Sequence, residues 1–174
     1  KLVISRDFSS STNTKWRYFM NTLESFYDAL KIALDMLFYK DQYLICNETD
    51  KHVSELSISH KLGHYLSLCI DEYEDCEYNR DLADPKKNKA DELIRPDIIV
   101  HRRGCNSSNF VVIEVKPWWN DNVDEDIKKL AEMTEENGKF EYDYGCSVIV
   151  TKKRCDVTVT ILAKGDVIER NIKI

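Results

Sequence analysis

Two short runs, PDIIVHR at 96–102 and NFVVIEVK at 109–116, constrain the fold of this chain more than any other part of it. Both are rich in β-branched, apolar residues, a composition that suits a pleated and largely buried surface. Between them lies RGCNSSN (103–109), whose Gly, Asn and Ser content suits a turn between antiparallel strands. The two runs are therefore expected as adjacent central strands of a sheet. Charge bounds the pair: Asp97 opens the first strand, and Glu114 and Lys116 close the second. Residues i and i+2 of a strand share a face, so Glu114 and Lys116 point the same way. Pairing through the turn sets Asp97 opposite Glu114.

Helical spacing surrounds this hairpin. Residues 16–39 place Phe19, Leu23, Phe26, Leu30, Ala33, Leu34 and Leu37 on one face, which predicts a long amphipathic helix. After a polar break at 47–50, Val53, Leu56, Ile58, Leu62, Leu66 and Ile70 predict a second helix with Glu55 in its first turn. Residues 74–80 alternate as a strand does, and 82–93, with a proline and three lysines, read as a hairpin arm or open loop. Val123, Ile127, Leu130 and Met133 predict a helix over 122–137, opened by acidic residues and closed by Gly138. Two further strands are expected at 144–152 and 156–163, joined by KRC. Strands interleaved with helices in this order indicate a mixed α/β layer architecture.

Length and composition allow one domain. A chain of 174 residues with only five glycines and three prolines buries a sizeable core and has little room for low-complexity tracts. No apolar run approaches the ~18 residues that span a bilayer, and the N-terminal residues show no apolar stretch followed by a cleavage site. Six scattered cysteines form no CxxC pair, which favours free thiols in a reducing cytoplasm over zinc or disulfides. The expectation is a cytoplasmic protein with no membrane partner. A net charge of −6 argues against a surface that grips nucleic acid everywhere. Basic residues nevertheless cluster at Lys86, Lys87 and Lys89, at Arg95 to Arg103, and at Lys152 to Arg154, while Asp121, Asp124, Glu125 and Asp126 form an acidic group elsewhere.

The hairpin's charged end carries the chemistry. Burying unpaired charge beside apolar strands costs several kcal/mol, so three ionisable groups there are a poor choice for stability alone. Hard oxygen donors suit Mg²⁺, which keeps several waters and takes one or two carboxylates together with substrate phosphate. Asp97 and Glu114 meet that need, with Mn²⁺ as the alternative ion, and Lys116 can position an attacking water or offset charge in the transition state. Pro96-Asp97 followed by Glu114-Val115-Lys116 resembles the signature of the PD-(D/E)XK nuclease superfamily. The resemblance covers roughly residues 52–163. It implies a restriction-endonuclease-like fold: a helix, a three-stranded meander, a crossover helix and a further strand, in a mixed sheet flanked by helices.

On that resemblance, residues 51–174 are the nuclease-like core and 1–50 an additional N-terminal helical extension packed on it. The implied ion is held by Asp97, Glu114 and the Val115 carbonyl. The implied substrate is nucleic acid, DNA before RNA, and Glu55 is carried over as an accessory carboxylate, although a helix first turn attracts Glu for dipole reasons alone. The wording from SELSISHKLGHYL through CEYNRDLADPKK and RPDIIVHRRG to VVIEVK also resembles a widespread group of bacterial and phage-like members with no agreed substrate. The Pro117-Trp118-Trp119 segment departs from the usual pattern beside the lysine.

Other residues carry two readings each. His60 and His64 have the i, i+4 spacing of a zinc pair but lack HExxH and a third ligand, which favours surface histidines; His60 can still face a substrate. His101 shares the face of Asp97, as a sheet histidine or a substrate contact. Asn79, Arg80, Lys86 and Lys87 suit phosphate contacts or a solvated loop. Trp118 and Trp119 either stack on unpaired bases or pack beneath a helix. No Walker loop, GxSxG elbow or Rossmann fingerprint is present. Two competitors to a nuclease stand: a catalytically silent module of the same fold that binds nucleic acid or protein, and an assembly protein that uses the 16–39 helix as a homodimer surface.

Overall fold

The computed structural model describes residues 22–46, 52–105 and 108–174. Their elements run α1 (Leu23–Lys40), α2 (Gln42–Ile45), α3 (Glu55–Ser67), β1 (Tyr73–Cys76), β2 (Arg80–Asp81), β3 (Asp84–Pro85), β4 (Ile98–His101), β5 (Asn109–Pro117), α4 (Val123–Met133), β6 (Tyr144–Val150), a 3₁₀ turn at Arg154–Asp156, β7 (Thr158–Ala163) and β8 (Asp166–Lys173). One six-stranded sheet has the order β1-β4-β5-β6-β7-β8, and β2-β3 form a separate small ribbon. Only β5 and β6 pair in parallel, across the α4 connection; the other neighbours are antiparallel. The architecture is thus a mixed α/β sheet flanked by helices.

Strand alternation divides the apolar residues between two layers. Ile98, Val100, Val111, Ile113, Val115, Cys146, Val148, Val159 and Ile161 face α1, α2 and α3. Ile99, Val112 and Leu162 face Leu130 and Met133 of α4 together with Phe140 and Tyr142. β5 is covered on both sides, which explains its almost unbroken apolar run.

Capping sets the helix limits. The Thr22 hydroxyl accepts from the Ser25 N–H, and Ser25 returns the contact as a capping box, so α1 begins at Leu23. The earlier part of the predicted 16–39 helix lies outside the described residues. At the other end, α4 stops at Met133, four residues short of expectation. Thr134 turns its hydroxyl back onto the Leu130 carbonyl at 2.9 Å, and the left-handed residue that follows is Asn137 (φ 59°), not Gly138. The strand expected over 74–80 ends at Cys76 because Glu77 adopts φ 54°. β8, which was not anticipated, returns through Lys164 and Gly165 (φ 53° and 83°), as a two-residue hairpin turn requires.

The apolar face of α1 is used within its own chain. Phe26, Ala29, Leu30, Ala33, Leu34 and Leu37 are fully buried in the core shared with α3 and the sheet, and the Tyr65 hydroxyl of α3 donates to Asp41 at the end of α1. That face is therefore not a free surface for the homodimer expected through this helix, because its side chains are already enclosed. Leu34→Ala is accordingly expected to cost about 3 kcal/mol, within the range for a buried leucine, and to do so in a single denaturant transition. Two separable transitions, with the sheet unaffected, would show α1 to be a detachable extension. No helix among the described residues is long and apolar enough to cross a membrane. All six cysteines are free, with Cys69 and Cys146 buried.

Candidate active site

The β4–β5 register pairs Ile98 with Ile113. One further step sets Asp97 across from Glu114, as expected from the turn between the strands. Asp97 is fixed there because its Oδ2 accepts a 2.7 Å hydrogen bond from the Val115 N–H. Val115 thus meets Asp97 through its amide. Glu114 and Lys116 emerge together on the α4 side of the sheet, where the connection to α4 brings that helix's first turns over the end of β5.

α3 approaches the same point. Lys116 Nζ donates to Glu55 Oε1 at 2.8 Å and lies 3.3 Å from Asp126 Oδ2 of α4. The second oxygen of Glu55 accepts from the Asn120 side-chain amide at 2.7 Å. Glu55 therefore bridges Lys116 to the segment after β5, which goes beyond a helix-dipole role. Lys129, one turn along α4 from Asp126, places Nζ 2.6 Å from Glu114 Oε1 and donates to the Arg95 carbonyl at 2.7 Å. Among the described residues, Glu114 Oε1 and Asp126 Oδ2 meet these ammonium groups as ion pairs and have no further hydrogen-bond partner. We read both as charge contacts that leave carboxylate lone pairs unfilled.

Four carboxylates (Asp97, Glu114, Asp126, Glu55) thus surround two ammonium groups (Lys116, Lys129), an excess of two negative charges when all are ionised. Burial raises the Asp97 carboxyl to about 6, against the Val115 hydrogen bond that lowers it. Burial pushes Glu114 up to about 8, with Lys129 opposing and Asp97 adding to the rise. Asp126 is raised for the same reason. Burial works to lower the Lys116 ammonium, but Glu55 and Asp126 outweigh it and leave its pKa raised, so it stays charged.

Asp126, Lys129 and Asn120 are the site residues missed in the sequence. Asp126 is buried beneath Lys116 and does not belong to an exposed acidic group with Asp121, Asp124 and Glu125. The available signal was its position beside the Ile127 and Leu130 stripe, which puts it at the margin of the face turned to the sheet.

The expected substrate-contact residues do not join this cluster. His101 lies at the other end of β4, four residues or about 13 Å from Asp97. It shares the α4 face as expected but is buried, with Nε2 2.8 Å from Asp75 Oδ2. Asp75 also accepts from Arg103 Nε at 2.8 Å. Burial holds His101 below its ordinary value, with Asp75 opposing.

Lys86 is likewise a correction. It is not a solvated loop lysine: its side chain is buried, its Nζ donates to the Tyr142 hydroxyl at 3.0 Å, and the rings of Tyr142, Phe140 and Tyr78 stand 5.1, 5.4 and 5.7 Å away. Burial pulls its ammonium down to about 8, with Asp81 opposing. Arg80 lines the same narrow cleft as Lys86 and His101. Asn79 is exposed, and its carbonyl accepts from the Lys86 N–H. Lys87 pairs with Asp91 at 2.8 Å. His60 is exposed on α3, and it and His64 bear electrostatically on Glu74 of β1.

Among the described residues, no three carboxylate, imidazole or thiol groups stand close enough to hold a metal by themselves. Comparison with protein families, with curated proteins and with solved structures finds no match.

Proposed function

We propose that the Asp97–Glu114–Lys116 cluster is the active site of a nuclease of restriction-endonuclease-like fold, dependent on Mg²⁺ or Mn²⁺ and hydrolysing phosphodiester bonds, in DNA before RNA. The observation that carries this is a half-enclosed site in which four carboxyl groups face two ammonium groups, so that full ionisation leaves two negative charges for a cation to compensate. A structural ion-pair cluster would balance its charges, because uncompensated buried carboxylates are costly. The order α3, β1, β4, β5, α4, β6 also supports the reading, since it follows the helix, meander, crossover helix and strand that the PD-(D/E)XK resemblance implies.

The donor set fits a hard divalent ion, which takes one or two carboxylates and completes its shell with water and phosphate oxygens. Asp97 and Glu114 would hold it, and when bound it supplies charge to polarise the phosphate and acidify a water. Lys129 would have to withdraw from Glu114; a side chain 23% exposed has room to do so. Lys116, held by Glu55 and Asp126, keeps an ammonium aimed at the site to orient the attacking water. Asp126 and Glu55 act through Lys116 as positioning residues.

The placement of Lys129 favours a second reading, a silent binding module in which that ammonium permanently replaces the ion. Calorimetric titration with Mn²⁺ and Mg²⁺, run beside cleavage of plasmid and single-stranded circular DNA, separates the two. The nuclease reading expects metal binding and cleavage that chelation abolishes. Absence of metal binding with retained nucleic-acid binding would establish the module.

A further inference from the structure

The Pro-Trp-Trp segment forms an aromatic ledge at the rim of the candidate site. Trp118 and Trp119 follow β5 directly, two and three residues after Lys116. Trp119 packs against the core, and the His52 ring lies flat upon it, with centroids 4.5 Å apart and planes 10° apart. His52 is exposed, so this stack ends at a ring that meets solvent. Trp118 stands perpendicular to both rings, at 5.1 Å from His52 and 5.3 Å from Trp119. It is 37% exposed, and its indole N–H donates to the Ile45 carbonyl at 3.0 Å, which fixes the ring plane. Exposed Lys152 places its ammonium 4.0 Å from the Trp118 centroid.

An exposed aromatic ring on its own is ordinary. Here two exposed rings are held rigid by a third ring and a backbone hydrogen bond, carry a cation, and adjoin the cluster where a phosphodiester would react. We propose that His52 and Trp118, set at a right angle beside Lys152, form a platform with a corner in which an unpaired base stacks on one ring and meets the other edge-on, which makes single-stranded nucleic acid the substrate class of this site. The inference rests on the nuclease reading for what happens after binding. Every base has a π-face to offer such a ledge, but only an unpaired one can present it, so a duplex gains nothing from these rings. Rings fixed before binding lose little freedom when a base stacks on them. A base that lands on Trp118 displaces the Lys152 ammonium, which then stands beside the strand's phosphate. The acidic residues Asp121, Asp124 and Glu125 are exposed at the start of α4, and they disfavour a backbone path on that side.

The test is fluorescence anisotropy of the full chain with labelled oligo(dT) and with a duplex, Ca²⁺ replacing Mg²⁺ so that binding is read without turnover. Wild type is expected to favour oligo(dT), and His52→Ala and Trp118→Ala each to weaken that binding about tenfold. Trp118→Phe keeps a stacking face and is expected to retain most of it. His52, exposed and outside any helix, serves as the probe if Trp118→Ala loosens α2. Unchanged oligo(dT) binding by both His52→Ala and Trp118→Ala overturns the platform, as does a wild type that binds duplex equally well or binds neither. Ledge-dependent binding without metal-dependent cleavage would refute the nuclease reading and leave the platform standing. Metal-dependent cleavage with a preference for duplex would do the reverse.

Discussion

Lys116→Ala should lower metal-dependent cleavage by about a thousandfold at neutral pH, the scale seen when a preorganised group that stabilises transition-state charge is removed. The size of the effect follows from how the lysine is held. Its side chain is 12% exposed, and contacts to Glu55 and Asp126 come from two different helices, so the ammonium does not wander. Burial has not cost it its proton. Removing it leaves both carboxylates unpaired, so some loss of stability is also expected. Lys116→Arg separates the two effects: it restores charge between Glu55 and Asp126 but offers a planar fork where a compact ammonium stood. Stability regained without cleavage places Lys116 in the chemistry. Equal cleavage by wild type and Lys116→Ala would sink the assignment.

The parts of this site that could be read in the sequence are those fixed by local period. Asp97, Glu114 and Lys116 lie on two strands joined by a short turn, so alternation and register alone bring them together, and the hydrogen bond from Val115 to Asp97 is a product of that register. Glu55 required the family resemblance, because a Glu in a helix first turn has a sufficient local explanation.

Asp126 and Lys129 depend on how α4 is rotated over the sheet. In the sequence they belong to a charged stretch indistinguishable from a solvated face. Lys86 was misread for a related reason: its cage is built partly from Phe140 and Tyr142, more than fifty residues away, and no local pattern announces a partner at that separation. β8 escaped notice because it is an edge strand. Edges carry charge on the solvent side, and its polar residues and shifted register blur the alternation that marks an interior strand.

Glu114→Gln should make the metal-free protein more stable at pH 7.5, by on the order of 2 kcal/mol, while reducing cleavage by a factor comparable to Lys116→Ala. A carboxyl whose pKa is raised on folding binds its proton more tightly in the native state. The stability it contributes is fully present below its unfolded value and is lost as pH rises through the folded one. For Glu114 that loss extends from the ordinary carboxylate range to about 8, and Asp97 adds a loss of the same sign up to about 6. Lys86 and His101 have the opposite sign: the Lys86 gain begins only above about 8, and the His101 gain, complete by its ordinary value, is one group set against the raised Glu114, Asp97 and Asp126. Chelated wild type should therefore melt progressively lower between pH 5 and pH 8, and the variant should flatten much of that slope, with a melting temperature higher by about 5 °C near neutrality. A divalent ion replaces the missing protons with charge, so Mg²⁺ should restore wild type most at the alkaline end, where the carboxylates are ionised, and should leave Glu114→Gln nearly unmoved. Lys129 loses its partner in the variant but can turn to solvent, so it should not reverse the gain. A wild type whose melting temperature is indifferent to pH and to Mg²⁺ would mean that Lys129 already neutralises Glu114, and the site would then be an internal salt-bridge cluster with no place for a metal.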